Sequence, residues 1–111
     1  MITTGYASGA LGAANDVVAI NVTELTTAGF QITGTFVGTV TFQGTVDNSN
    51  WVSIRGANVA TGTSATTTTA VGVFVASCAG LSQVRANMTS YTSGAATATI
   101  KTSPNASFIA G

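Results

Sequence analysis

The chain has 111 residues and only six charges, Asp16, Glu24, Asp47, Arg55, Arg85 and Lys101, which cancel to zero net charge. A chain of this length is one domain that can bury a core without metals or disulfides. Its neutrality argues against nucleic acid, whose binding depends on Lys and Arg neutralising phosphates, and against anionic membrane surfaces. There is no histidine, which excludes Ser-His-Asp and Cys-His catalysis and histidine metal sites.

Thr occurs 21 times and Ala 18 times, with 13 Gly, so small and β-branched residues dominate and strands joined by turns are expected. So little charge leaves two readings of the surface open. Either other subunits cover much of it, or threonine and serine hydroxyls keep it wet. The single cysteine, Cys78, excludes an intrachain disulfide and reads as a small buried hydrophobe. The opening residues lack a basic region followed by an apolar core, so no signal peptide is expected, and no apolar run reaches membrane-spanning length.

Residues 1–16 are rich in Gly, Ala, Ser and Thr and hold no lasting period. They read as a tail, or as an arm lying on a neighbour with Tyr6 and Leu11 as anchors. A first strand is expected over residues 17–26, with Val18, Ile20 and Val22 on one face and a slip at Glu24-Leu25. A short element at Phe30-Gln31-Ile32-Thr33 follows, its face continued by Gly34 and Phe36, and Gly38 then separates it from the next element as a bend or bulge rather than a turn.

Residues 39–55, TVTFQGTVDNSNWVSIR, read as the central hairpin. Val40, Phe42 and Val46 alternate with Thr39, Thr41, Gln43 and Thr45, and Asp47-Asn48-Ser49-Asn50 supplies a polar turn. That turn could offer a few oxygens to calcium, but turn chemistry is the simpler account. By strict alternation Trp51 lies opposite Val52 and Ile54. It is either an exposed platform for stacking a sugar or a cap on the edge of the fold. Residues 56–67 read as a long loop. Val71, Val73 and Val75 then face away from Phe74 and Ala76, a strand apolar on both sides. Residues 83–91 and 96–101 alternate again and read as two strands joined by a turn at Thr92-Ser93-Gly94. Pro104 ends the last strand, and the tail beyond it carries Phe108 and Ile109.

The expected architecture is an all-β, antiparallel β-sandwich, jelly-roll-like or immunoglobulin-like, with about seven strands over residues 17–103, an N-terminal arm (1–16) and a C-terminal tail (104–111). The three carboxylates fall in three separate elements, so no enzymatic activity, metal or other cofactor is expected.

Two stretches, GTFVGTVTFQGTVDNSNWVSI (34–54) and AGLSQVRANMTSYTSGAATATI (79–100), resemble a pattern in small β-sandwich virion structural proteins of tailed bacteriophages. Members commonly carry Asp-Gly in the turn where this chain has Asp47-Asn48, a difference of turn type. The resemblance implies a non-enzymatic virion protein made in the host cytoplasm, a capsid decoration or cement protein on the head. Its partners would be the major capsid protein and copies of itself, for example as a trimer, with Tyr6, Leu11, Phe108 and Ile109 as contacts. The same D-x-x-x-W hairpin is similar to that of sugar-binding jelly rolls. It keeps open a carbohydrate-binding receptor module of a tail fibre or spike, using Trp51 and the loop over residues 56–67.

Overall fold

In the computed structural model, which describes residues 5–104, every regular element is a β-strand and every strand pairing is antiparallel. The strands are β1 (Gly5–Leu11), β2 (Val17–Asn21), β3 (Thr27–Thr45), β4 (Val52–Ser53), β5 (Gly56–Asn58), β6 (Ser64–Ala65), β7 (Thr67–Thr68), β8 (Gly72–Ser77) and β9 (Gln83–Ser103). They are hydrogen-bonded in the order β1-β9-β3-β8-β5-β6, with β2 also on β9, and β4 and β7 also on β3.

Two strands dominate. β3 has 19 residues and β9 has 21, and they pair from Thr27↔Ser103 to Thr45↔Gln83. Straight β-strand would carry Phe30 and Phe42 roughly 40 Å apart. Their ring centroids are 4.9 Å apart. The β3/β9 ribbon therefore doubles back on itself, and its two halves become the two layers of the fold. One half, with β1, β8, β5 and β6, faces the other half, with β2, β4 and β7.

The bend is built into the ladder. The register slips between Val37 and Gly38 and between Thr39 and Val40, because β9 carries two residues, Thr92 and Thr89, that have no opposite number. Such bulges bend a strand and increase its twist. Gly94 sits at the bend with φ +80°, where a Cβ would run into the Thr35 carbonyl oxygen and come 2.9 Å from Phe36 Cα. The Tyr91 hydroxyl donates to the Gly94 carbonyl at 2.8 Å and ties the bend locally.

The core lies between the layers. From one side come Leu11, Phe30, Ile32, Phe74 and Ile100, and from the other Val18, Val40, Phe42, Val84 and Met88, all in one buried cluster. Phe42 is central, with Phe74 at 5.0 Å on its other flank. Both contacts are tilted ring pairs at favourable separation. On β1 the inward positions are Gly5, Ala7, Gly9 and Leu11. A Cβ on Gly9 would touch Val18 at 3.0 Å and one on Gly5 would meet Ile20 at 2.9 Å. Small residues there let β1 close down on β2.

The all-β antiparallel expectation holds, with differences of detail. Residues 5–11, expected in an N-terminal arm, are an integral strand, and Leu11 is fully buried in its own core. The elements expected at 30–33 and 39–46 are one strand, as are those expected at 83–91 and 96–101, so Thr92-Ser93-Gly94 is a bend rather than a hairpin turn. Half of residues 56–67 lie in short strands, with Gly56–Asn58 paired to both β6 and β8. The hairpin after β3 is present, although its return arm β4 is only two residues long.

Gly94→Ala is expected to destabilise the fold by about 1–3 kcal/mol, the range for a residue forced into a disfavoured backbone region. At Gly29 a Cβ would meet only the Lys101 carbonyl oxygen, at an ordinary 3.7 Å. Gly29→Ala should therefore stay within about 0.5 kcal/mol of the parent. Urea denaturation of both variants measures the contrast, and equal losses would contradict the account of the bend.

Candidate functional site

Two outward faces carry the residues that could meet a partner. The first covers the β2–β9–β3–β4 layer. Trp51 leaves the turn after β3 and lies half-buried against it, with the Arg85 guanidinium carbon 4.1 Å from the ring centroid. Arg85 Nε–H donates to Gln43 Oε1 at 2.8 Å, and Asn87 Nδ2–H donates to the same oxygen at 3.2 Å. Register explains the meeting: Gln43 is opposite both Arg85 on β9 and Ser53 on β4. Beside it Thr41 and Thr89 share a hydroxyl–hydroxyl bond of 2.8 Å. Asn87 is 8% exposed, and its Oδ1 is buried without a partner among the described residues. Burial lowers the Arg85 pKa from its ordinary value, but a guanidinium stays cationic at any physiological pH.

One face of the indole is thus occupied by a guanidinium of the same chain. A sugar could stack only on the other face. The Arg85–Trp51 pair acts first as a clasp that holds the segment after the turn onto the sheet.

The turn before Trp51 is self-contained. Asp47 Oδ1 accepts from Ser49 N–H at 2.9 Å, Asn50 N–H at 2.8 Å and the Thr45 hydroxyl at 3.1 Å, while Oδ2 accepts from Asn50 Nδ2–H at 2.6 Å. The backbone N–H groups of Asn50 and Ser49, then the Asn50 side chain, hold the carboxyl well below the usual carboxylate range. The carboxylate oxygens that calcium would need already serve the turn, and no group of three acidic, cysteine or histidine residues gathers among the described residues. Cys78 is fully buried, and burial pushes its thiol pKa up, away from reactivity.

The second face covers the β1–β9–β3–β8 layer. One cross-strand row runs Tyr6, Lys101, Gly29, Val75, and the next runs Ser8, Thr99, Gln31, Val73. Tyr6 is 70% exposed, Val71 56% and Val73 39%. Gly29 leaves a mostly apolar depression of about 260 Å³ that Tyr6, Gln31, Val73 and Lys101 help to line. This valine row is the side of β8 that the sequence showed as apolar.

The sequence-predicted contact residues therefore separate. Tyr6 faces outward on the second face. Leu11 cannot be an anchor for a neighbour in the folded chain, because it is at 0% exposure on the inward side of β1. Phe108 and Ile109 lie outside the described residues. Trp51 sits on the other face, in the opposite layer from Tyr6. Sequence reasoning missed Gln43, Asn87 and the pairing of Arg85 with Trp51, which only cross-strand register reveals.

No protein-family model matches the chain, and no curated protein matches it in sequence. Solved structures do match the fold. The PBSX exported protein XepA superposes with a TM-score of 0.75 at 16% identity, over 90% of this chain and 38% of XepA. The SPBc2 prophage-derived protein YomS superposes with a TM-score of 0.72 at 16% identity, over 92% of this chain and 96% of YomS. The chain thus spans well under half the length of XepA and nearly the full length of YomS, and it shares their fold.

A double-mutant cycle on Arg85→Ala and Trp51→Leu should give a coupling of about 0.5–1 kcal/mol, the size of an exposed cation–π pair. A coupling indistinguishable from zero in urea titrations would mean the clasp contributes nothing. For Asp47 the sign follows from the lowered pKa of the folded state. Its stabilisation is present at neutral pH and is lost as pH falls below the unfolded value of 3.8 towards the folded one. Asp47→Asn should therefore be less stable than the parent at pH 7, and the difference should shrink between about pH 4 and pH 2. A difference independent of pH would exclude the carboxylate as its source.

Proposed function

We propose that the chain is a non-enzymatic structural protein of a bacteriophage particle. Within the particle we favour a decoration or cement protein, seated on the head and bridging coat subunits, made in the host cytoplasm and ending up in the virion. The observation that carries this reading is the fold shared with XepA and YomS over nine-tenths of the chain. YomS is prophage-derived by name, and XepA is named as an exported protein of PBSX. The exterior adds support. Three of the outward apolar side chains, Tyr6, Val71 and Val73, share one sheet face, where burial against a coat subunit is worth about 25 cal/mol per Å² of apolar area. Repetition over symmetric copies multiplies a weak contact.

A second reading is a carbohydrate-binding receptor module on a tail fibre or spike. What favours it is the cluster of Trp51, Arg85, Gln43 and Asn87, an aromatic ring beside fixed polar groups.

Particles assembled with the full chain, and with variants Tyr6→Ser, Val73→Lys and a deletion of residues 105–111, distinguish these readings. The structural reading expects the chain to copurify with particles in fixed stoichiometry and the variants to lower occupancy several-fold while leaving the unfolding midpoint unchanged. Absence from the particles, or full occupancy in all three variants, would remove it. Glycan binding lost in Trp51→Ala would favour the receptor reading instead.

A further inference from the structure

The geometry points to β1 as a sheet-extending edge that pairs antiparallel with β1 of a second copy about a two-fold axis at Ser8. Among the described residues, β1 stands at the end of the strand order and is hydrogen-bonded to β9 on one side only. Among the same described residues, no backbone hydrogen bond outside the regular pairings involves residues 5–11. Its other side, unpaired among the described residues, therefore presents the backbone donors and acceptors of alternate residues along the strand. Edge strands in soluble proteins are normally protected by charge, proline, shortness or a bulge. The sequence of β1, GYASGAL, has no charge and no proline, and its pairing to β9 runs unbroken from Gly5↔Thr102 to Leu11↔Ala96. At the opposite end of the sheet β6 is only two residues long, so shortness protects that edge.

The occupant is a second copy because the strand complements itself. Ser8 is the midpoint of the seven residues, so a two-fold axis there pairs every one of them, the register with the most ladder hydrogen bonds. In that register Tyr6 stands opposite Ala10 of the second copy on the outer face, a large residue against a small one, in both halves. On the inner side Ala7 meets Gly9. No charges oppose each other, and the zero net charge of the chain adds no long-range repulsion. The pairing would also continue the outer face of the β1–β9–β3–β8 layer from one copy into the next. This inference concerns the free chain in solution and does not depend on the particle reading.

The register gives a selective test. Ser8 is exposed, and among the described residues its hydroxyl bonds only the Thr99 hydroxyl across the face, at 3.0 Å. In the symmetric pair the two Ser8 residues are direct neighbours, so Ser8→Lys alone and Ser8→Asp alone each place like charges opposite one another. Sedimentation of the full chain over a hundredfold concentration range is expected to show a monomer–dimer equilibrium. Each variant should raise the dissociation constant at least tenfold, with the unfolding midpoint of the monomer unchanged, and an equimolar mixture of the two should recover the dimer. A parent that stays monomeric throughout overturns the proposal. So does a dimer that both variants leave intact, or one that the mixture fails to restore. Failure here leaves the occupancy of particles untouched, and loss of the particle reading leaves this equilibrium untouched.

Discussion

The fold depends on one contact made early in its logic: Phe30 against Phe42, two residues of the same strand brought ring to ring at 4.9 Å. Nothing local favours that. Twelve residues of continuous strand would hold the rings far apart, and only a reversal of the whole β3/β9 ribbon brings them together. Once the ribbon reverses, the other assignments follow. The inward faces of its two halves become the core, β1 and β2 line one side of β9, and β8, β4 and β7 attach to β3. The bulged residues Thr89 and Thr92 and the left-handed Gly94 set where the ribbon turns. The backbone cost of those positions is small beside the burial of three phenylalanines, each of which removes a large apolar area from water.

Much of this was legible in the sequence where one face of a strand is large and apolar and the other is polar. Val40 and Phe42 against Thr39, Thr41 and Gln43, and Val84, Ala86 and Met88 against Arg85 and Asn87, gave strand and facing correctly. β1 was illegible for a physical reason. Its inward residues are Gly5, Ala7 and Gly9 because Val18 and Ile20 come so close from the other layer. A core face made of the smallest residues looks the same as a low-complexity tail. For β3, Gly38 read as a bend or bulge rather than a turn, and the ladder does slip there; the continuity of β9 was illegible for another reason. Thr92-Ser93-Gly94 has the composition of a turn, and whether such a sequence ends a strand or bends it is decided by the partner strand. Here Gly94 stays paired, opposite Phe36.

The surface site shows the same division. That Trp51 would leave a polar turn could be read from alternation, but its partner could not. Arg85 is 34 residues away in sequence and reaches the indole only because Gln43 is flanked by β4 on one side and β9 on the other. The clasp turns an exposed tryptophan into a half-buried one. It also explains why a hairpin whose return strand is two residues long keeps its place: a carboxylate organises the turn, and a cation holds the residue that follows it.

The scarcity of charge bears on what such a surface is suited to. The outward positions of β1, β3 and β9 are largely Ser, Thr, Ala and Gly, with Lys101 the one charged residue in the rows that cross the β1–β9–β3–β8 face. Hydroxyls hold water well enough to keep a folded chain dispersed. They cost far less than ammonium or carboxylate groups to take out of water, and they find hydrogen-bond partners within the sheet itself, as Ser8 and Thr99 do. A charged exterior would oppose contact with every partner until each charge was matched. A hydroxyl exterior opposes it little and selects by shape, by the few large side chains it carries and by any open strand edge. Of the two readings the composition leaves open, the covered one has a mechanical counterpart: a neutral face whose desolvation is cheap, bordered by a strand whose outer edge has no partner among the described residues.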